Sequence, residues 1–380
     1  MNTLFDQAEK ARQSSRFKNA QRIYKTLLRK SLPHEEKAEA LLGLADVERI
    51  QGYFTDSLKH YQSAAQLLKK IDPSAQVDAQ VGWALAARAV GRPQEALREL
   101  KKALASYKKD KDPQGEAFVH WALGGTLRIA GDMKGGLKEL QIALRMFKAL
   151  RNPEGVSYTY CALGGIFRML GRYAESGKFY GKANHEMRHR GDTFGIAYSY
   201  CGLGNVQRMA GRFKQALPFY KKAEKLYGTI GDRVSYAYTL WSIGTTYKML
   251  GETTKAWQAF QKADALFQKT GDTRGRIYTL LGFAEVEWLK EVSSGNTEVP
   301  FAGGKRVKDA RGRDKSRPYM RNNKGTSYWR TANTIASQSK FAWEKLHVES
   351  LKGGRVNPLK NRYLNAGSKF CPKSLPVNWP

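Results

Sequence analysis

The sequence predicts an all-α solenoid built from stacked pairs of antiparallel helices. A glycine recurs every 40 residues, at Gly91, Gly131, Gly171, Gly211 and Gly251. One helical pattern of apolar and small residues surrounds each of them, as in WALGGTLRIAGDMKGGLKELQIAL from Trp121 and CGLGNVQRMAGRFKQALPFYKKAE from Cys201. Self-similarity at a fixed period of this size marks units that cannot bury an apolar face alone and are stable only beside their neighbours.

The small residues explain how two helices of a unit approach each other. Gly124, Gly164, Gly204 and Gly244 stand in the first helix. Ala96, Gly136, Ser176, Ala216 and Ala256, with Ala103, Ala143, Ala183, Ala223 and Ala263 seven residues later, stand in the second. Side chains this small let helix backbones come close, while Leu163, Phe167, Phe179 and Tyr180 fill the space between layers.

These motifs resemble the tetratricopeptide repeat, over roughly residues 15 to 290. The resemblance implies a right-handed superhelix whose first helices line a concave groove. Its usual unit has 34 residues, so a 40-residue period lengthens both helices by about a turn. Long units of this kind are similar to those of Pins-type spindle adaptors and kinesin light chains, whose arrays hold protein partners.

In chain order, residues 1–34 are expected to form a degenerate half-repeat, around SRFKNAQRIYKTLL from Ser15, that caps the N-terminal end. Residues 35–296 form the array, its first unit turning at Gly52. Asp112-Pro113 and Asn152-Pro153 place an N-cap before a proline suited to the first helical position, while Gly191-Asp192, Gly231-Asp232 and Gly271-Asp272 place a helix stop before a cap. First helices are thereby predicted to begin near 113, 153, 193, 233 and 273.

At Glu291 the expected glycine fails and the pattern dissolves into a stretch rich in Gly, Lys and Arg. Residues 297–380 are read as a basic, irregular tail, with one possible helix between Tyr328 and Leu351 around Phe341, Trp343 and Leu346. A binding tail, a divergent capping segment and a terminus translated in a shifted frame all remain open for it.

The chain carries a formal charge of +31. Residues 301–380 supply 18 Lys or Arg against 4 Asp or Glu, so the tail holds nearly half of the surplus. Anionic partners follow: acidic protein segments, or nucleic acid through the tail. Cys161, Cys201 and Cys371 form no CxxC pair and no even framework, which points away from a zinc ribbon or a disulfide-stapled secreted fold. With no signal-peptide pattern and no long apolar run, a cytoplasmic protein without a transmembrane segment is expected; nothing fixes its oligomeric state.

The candidate site is a stripe on the first helices. Arg49, Arg88, Arg128, Arg168, Arg208 and Lys248 each stand three residues before a turn glycine. Ten residues before Arg128, Arg168, Arg208 and Lys248 come Phe118, Tyr158, Tyr198 and Tyr238, and Tyr278 stands one period further on; Trp121, Cys161, Cys201 and Trp241 lie between, then Gly125, Gly165, Asn205 and Thr245. The expectation is an accessible basic and aromatic groove in which arginine grips carboxylates bidentately and tyrosine offers a flat apolar face. An extended acidic peptide is the predicted ligand, with RNA or single-stranded nucleic acid as the alternative, since bases stack on aromatics and phosphates meet arginine.

No catalytic, cofactor or metal site is expected. His185-Glu186-Met187-Arg188-His189 matches HExxH, yet the same positions elsewhere hold Arg145, Lys225 and Ala265 or Ala149, Thr229 and Lys269, and no third ligand follows in register. Glu186 falls where other units have Met146, Leu226 and Leu266 and is expected to be partly buried. Cys161 and Cys201 sit one repeat apart, about 10 Å, too far for a relaxed disulfide.

Overall fold

A computed structural model describes residues 3–293 and 323–338. Sixteen helices are present among them, in the order α1 Leu4–Gln13, α2 Phe17–Leu27, α3 His34–Gln51, α4 Phe54–Ile71, α5 Pro73–Ala89, α6 Pro93–Lys109, α7 Pro113–Ala130 and α8 Met133–Ala149. They continue with α9 Pro153–Met169, α10 Tyr173–His189, α11 Thr193–Met209, α12 Phe213–Ile230, α13 Arg233–Met249, α14 Thr253–Thr270, α15 Thr273–Ser293 and α16 Asn323–Gln338. Two compact units result: residues 1–206 with 221–236, and residues 207–220 with 237–380.

Helix starts follow the caps. The Asp112 carboxylate accepts from the backbone N–H groups of Gln114 and Gly115, both at 3.0 Å, and Asn152, Asp192 and Asp272 each accept from the N–H three residues on at 2.8 Å. Helix ends follow the left-handed residues. Gly131 and Gly271 close helices with φ of 94° and 69°. Where the register offers no glycine after a second helix, Lys111 and Arg151 adopt φ of 56° and 52°.

Packing between units pairs sizes. A Cβ on Gly82 would lie 2.2 Å from Tyr61, and one on Gly202 2.2 Å from Tyr180, so an aromatic of each second helix rests on the bare backbone of the following first helix. Where that aromatic is replaced by Leu100, the facing register position holds Ala122, within the same core cluster. The same total volume is met in two ways.

First helices form the inner row of the first unit: α3 packs on α5, α5 on α7 and α7 on α9, with the second helices outside them. The N-terminal end departs from the expected half-repeat, because α1 and α2 make a complete short hairpin with Ala8, Ala11, Ala20 and Tyr24 in its core. That hairpin reaches far along the chain. Phe17 meets Phe194 edge-on at 6.4 Å, and in the next hairpin the Tyr53 ring lies under the Arg233 guanidinium at 5.4 Å and its hydroxyl accepts from that guanidinium.

In the second unit, α16 departs from the irregular tail read from sequence. Trp329, Ala332 and Ala336 bury against Ile277, Leu280, Leu281 and Ala284 of α15, so residues 323–338 stand where a second helix would pair with α15. Phe341, Trp343 and Leu346 lie outside the described residues.

Candidate partner-binding face

Arg88, Arg128 and Lys248 lie against the next repeat, at the residue 37 positions ahead. The column reads Gly125, Gly165, Asn205, Thr245 and Glu285, opposite Arg88, Arg128, Arg168, Arg208 and Lys248. A Cβ on Gly125 would stand 2.7 Å from Arg88 Nη1, and one on Gly165 would stand 3.0 Å from Arg128 Nη1. Glycine there makes room for a guanidinium laid on the neighbouring backbone.

The ladder is consequently less accessible than its spacing implies. Arg128, Arg168, Arg208 and Lys248 are buried, Arg168 at 1% exposure, and Arg128, Arg208 and Lys248 reach across to the next first helix. Arg208 Nε donates to the Tyr220 hydroxyl at 3.2 Å and lies 5.4 Å from the Trp241 ring. Lys248 forms a buried ion pair with Glu285. Sequence reasoning did not reach Glu285, although the column of Gly125 and Gly165, continued to the last unit, carries the signal.

Arg88 differs from the others. It is half-buried, and its Nη1 donates only to the Ala122 carbonyl at 3.3 Å and the Thr126 hydroxyl at 3.4 Å. No carboxylate among the described residues pairs with it. Burial, with Arg128 and Arg49 close by, lowers the affinity of its guanidinium for the proton. Arg49 itself is compensated by Asp46 at 3.2 Å.

The aromatic column divides between the two units. In the first, Phe118 is 40% exposed and stacks on half-buried Trp121 at 5.4 Å, Arg88 lies 5.8 Å from the Trp121 ring, and Tyr158 and Tyr198 are half-buried. Burial pushes the Tyr198 phenol up, and Arg128 and Arg168 stand near enough to oppose that. In the second unit the column is core: Tyr238 packs on Phe267 at 4.8 Å, and Trp241 donates to the Tyr278 carbonyl at 3.3 Å. Asn205 is buried as well, and its amide donates to Cys201 Sγ at 3.7 Å.

His185 and His189 are exposed one turn apart with ring centroids 5.0 Å from each other, and Glu186 is exposed too, contrary to the expected partial burial, because its helix turns this face outward. Cys161 and Cys201 are buried free thiols, and burial pushes the Cys161 thiol up, away from nucleophilic character. No helix among the described residues is long and apolar enough to cross a membrane.

Stacked helical hairpins with capped, glycine-terminated helices and an inner row of first helices define an α-solenoid. Residues 36–109 and 195–269 match the family model for the tetratricopeptide repeat, and the array is a tetratricopeptide-repeat array. No curated protein sequence matches the chain. Solved structures share its fold at low identity. The Cut9–Hcn1 hetero-tetramer of the APC/C aligns with a TM-score of 0.58 at 14% identity over 92% of this chain and 55% of that one. A Rap conjugation gene regulator of plasmid pLS20 in complex with the Phr* peptide aligns at 0.50 and 16% identity, over 69% and 77%. Aspartyl phosphate phosphatase F from Bacillus subtilis aligns at 0.51 and 15%, over 70% and 69%.

Proposed function

We propose that the protein is a non-catalytic scaffold whose inner face holds an extended, acidic segment of a partner protein. The observation that carries this reading is Arg88: a half-buried guanidinium beside Trp121 and the exposed Phe118, with neutral acceptors only. A partner carboxylate supplies the charge that Glu285 supplies to Lys248 at the other end of the ladder. Phe118, Trp121, Tyr158 and Tyr198 offer flat apolar contacts around it, and the seam cations Arg128 and Arg168 lend the face a positive field from beneath. Asn205 acts by holding a helix of that face, while Tyr238, Tyr278 and Trp241 pack the core of the second unit. The Phr* peptide complex is an instance of this fold holding a peptide.

The test is capture from lysate with full-length protein, Arg88→Glu and Phe118→Ser, after nuclease treatment, with bound proteins identified. Loss of the same protein from both variants, with unchanged circular dichroism, supports the groove. Undiminished capture by both removes it.

A further inference from the structure

The second helices of the first unit carry a surface that the groove does not use. On α6, α8 and α10, Arg98, Lys138 and Lys178 share one register position, and Lys108, Lys148 and Arg188 share another. All six are exposed, and none joins an ion pair among the described residues.

Helix geometry widens these two rows into a field. Offsets of 0, 3, 4, 7, 10 and 11 residues from Arg98, Lys138 and Lys178 fall within an arc of about 120°. Over the three helices those positions hold Lys, Arg, His, Gln, Gly, Ala or Ile, and no Asp or Glu. The acids stand beside the arc and are engaged there: Glu95 with Arg92, Glu99 with Lys102, Glu139 with His120 and Glu175 with Arg172. Glu186 at the edge of α10 is the nearest exposed one. Charge of one sign has been sorted to one face.

We propose that this outer face binds the sugar-phosphate backbone of a nucleic acid without reading its sequence. Rows of single-sign charge stepping from helix to helix suit a polyanion with a charge every few ångströms, which a peptide with a few acids does not match. The exposed large apolar residues, Ile71, Phe118 and Leu170, all lie off these arcs, so among the described residues the face has no wedge for a bilayer and no Phe, Tyr or Trp platform for bases. Contact is left to phosphates alone, and binding on this face is independent of the peptide groove.

The test uses full-length protein with two fluorescein-labelled 20-base-pair DNA duplexes of unrelated sequence. Anisotropy is read at 50 and 200 mM salt, beside co-sedimentation with phosphatidylserine vesicles. Equal affinity for both duplexes is expected, weakening about 100-fold across that salt range if about four phosphates are contacted. The triple variant Arg98→Glu, Lys138→Glu, Lys178→Glu is expected to lose at least tenfold in affinity and to flatten the salt slope, while Arg88→Glu changes neither. If circular dichroism shows the reversal to be unfolded, the Arg98→Gln, Lys138→Gln, Lys178→Gln variant is read for the same flattened slope. Unchanged duplex affinity in a folded variant overturns the proposal and transfers nucleic-acid binding to the groove or to residues 297–380. Vesicle binding lost by the variant with no duplex binding by the wild type overturns it in favour of a membrane.

Discussion

Lys248 and Glu285, 37 residues apart on successive first helices, form a buried ion pair at the place where Arg88 and Arg128 face glycines. One column of the repeat thus runs from glycine to carboxylate, and with it the ladder runs from an uncompensated cation to a neutralised one.

Removing one member of that pair strands the other charge in the interior. Lys248→Met and Glu285→Leu are each expected to cost about 3–5 kcal/mol, and the double variant much less than their sum. Urea denaturation monitored by circular dichroism gives all three values. Additive losses would show that the two side chains do not depend on each other.

Size pairing between units predicts a rescue. Gly202→Ala places a methyl against the Tyr180 ring and is expected to destabilise by about 1–3 kcal/mol. Adding Tyr180→Leu recreates the Leu100 and Ala122 combination and is expected to recover part of the loss, read as the melting temperature of single and double variants.

Lys111 and Arg151 hold left-handed backbone where later repeats have Gly191, Gly231 and Gly271. Lys111→Gly and Arg151→Gly are each expected to stabilise by about 1 kcal/mol, the relief of the steric clash exceeding the entropy glycine adds to the unfolded chain. Chemical denaturation midpoints decide, and a lowered midpoint in both would contradict it.

Burial pushes the Asp232 carboxyl up to about 6, against opposing hydrogen bonds from Ser235. A raised carboxyl favours the native state below the unfolded value near 4, and that contribution is lost as pH rises through 6. Asp232→Asn keeps an oxygen for the Ser235 N–H and is expected to stabilise by roughly 3 kcal/mol at pH 7.5, fading to none near pH 4. Melting temperatures across that range test the sign.

Trp329 anchors α16 on α15. Trp329→Ala is expected to remove about 3–5 kcal/mol from the docking of this helix. Faster amide hydrogen exchange in α16, and in its contacts Leu280 and Leu281, would report it; unchanged exchange would deny the helix its capping part.

Much of this was legible in the sequence for physical reasons. Asp112, Asn152 and the turn glycines act on their own helix ends, so local residues state where helices begin and stop. Burial of Arg168 was not legible, because a cation at a regular helix position reads as surface. α16 escaped because Trp329, Ala332 and Ala336 follow a connection far outside the 40-residue period. The exposed and the core halves of the aromatic column looked alike for a similar reason: Tyr158 and Tyr238 differ in their surroundings, not in their register.

The contacts of Phe17 with Phe194 and of Tyr53 with Arg233 join the first two hairpins to helices some 180 positions later. Open repeat arrays can gain or lose a unit and keep working, since each rests only on its neighbours. Here the chain meets itself, so the number of repeats between those residues is part of the fit: one more or one fewer would carry Arg233 past Tyr53.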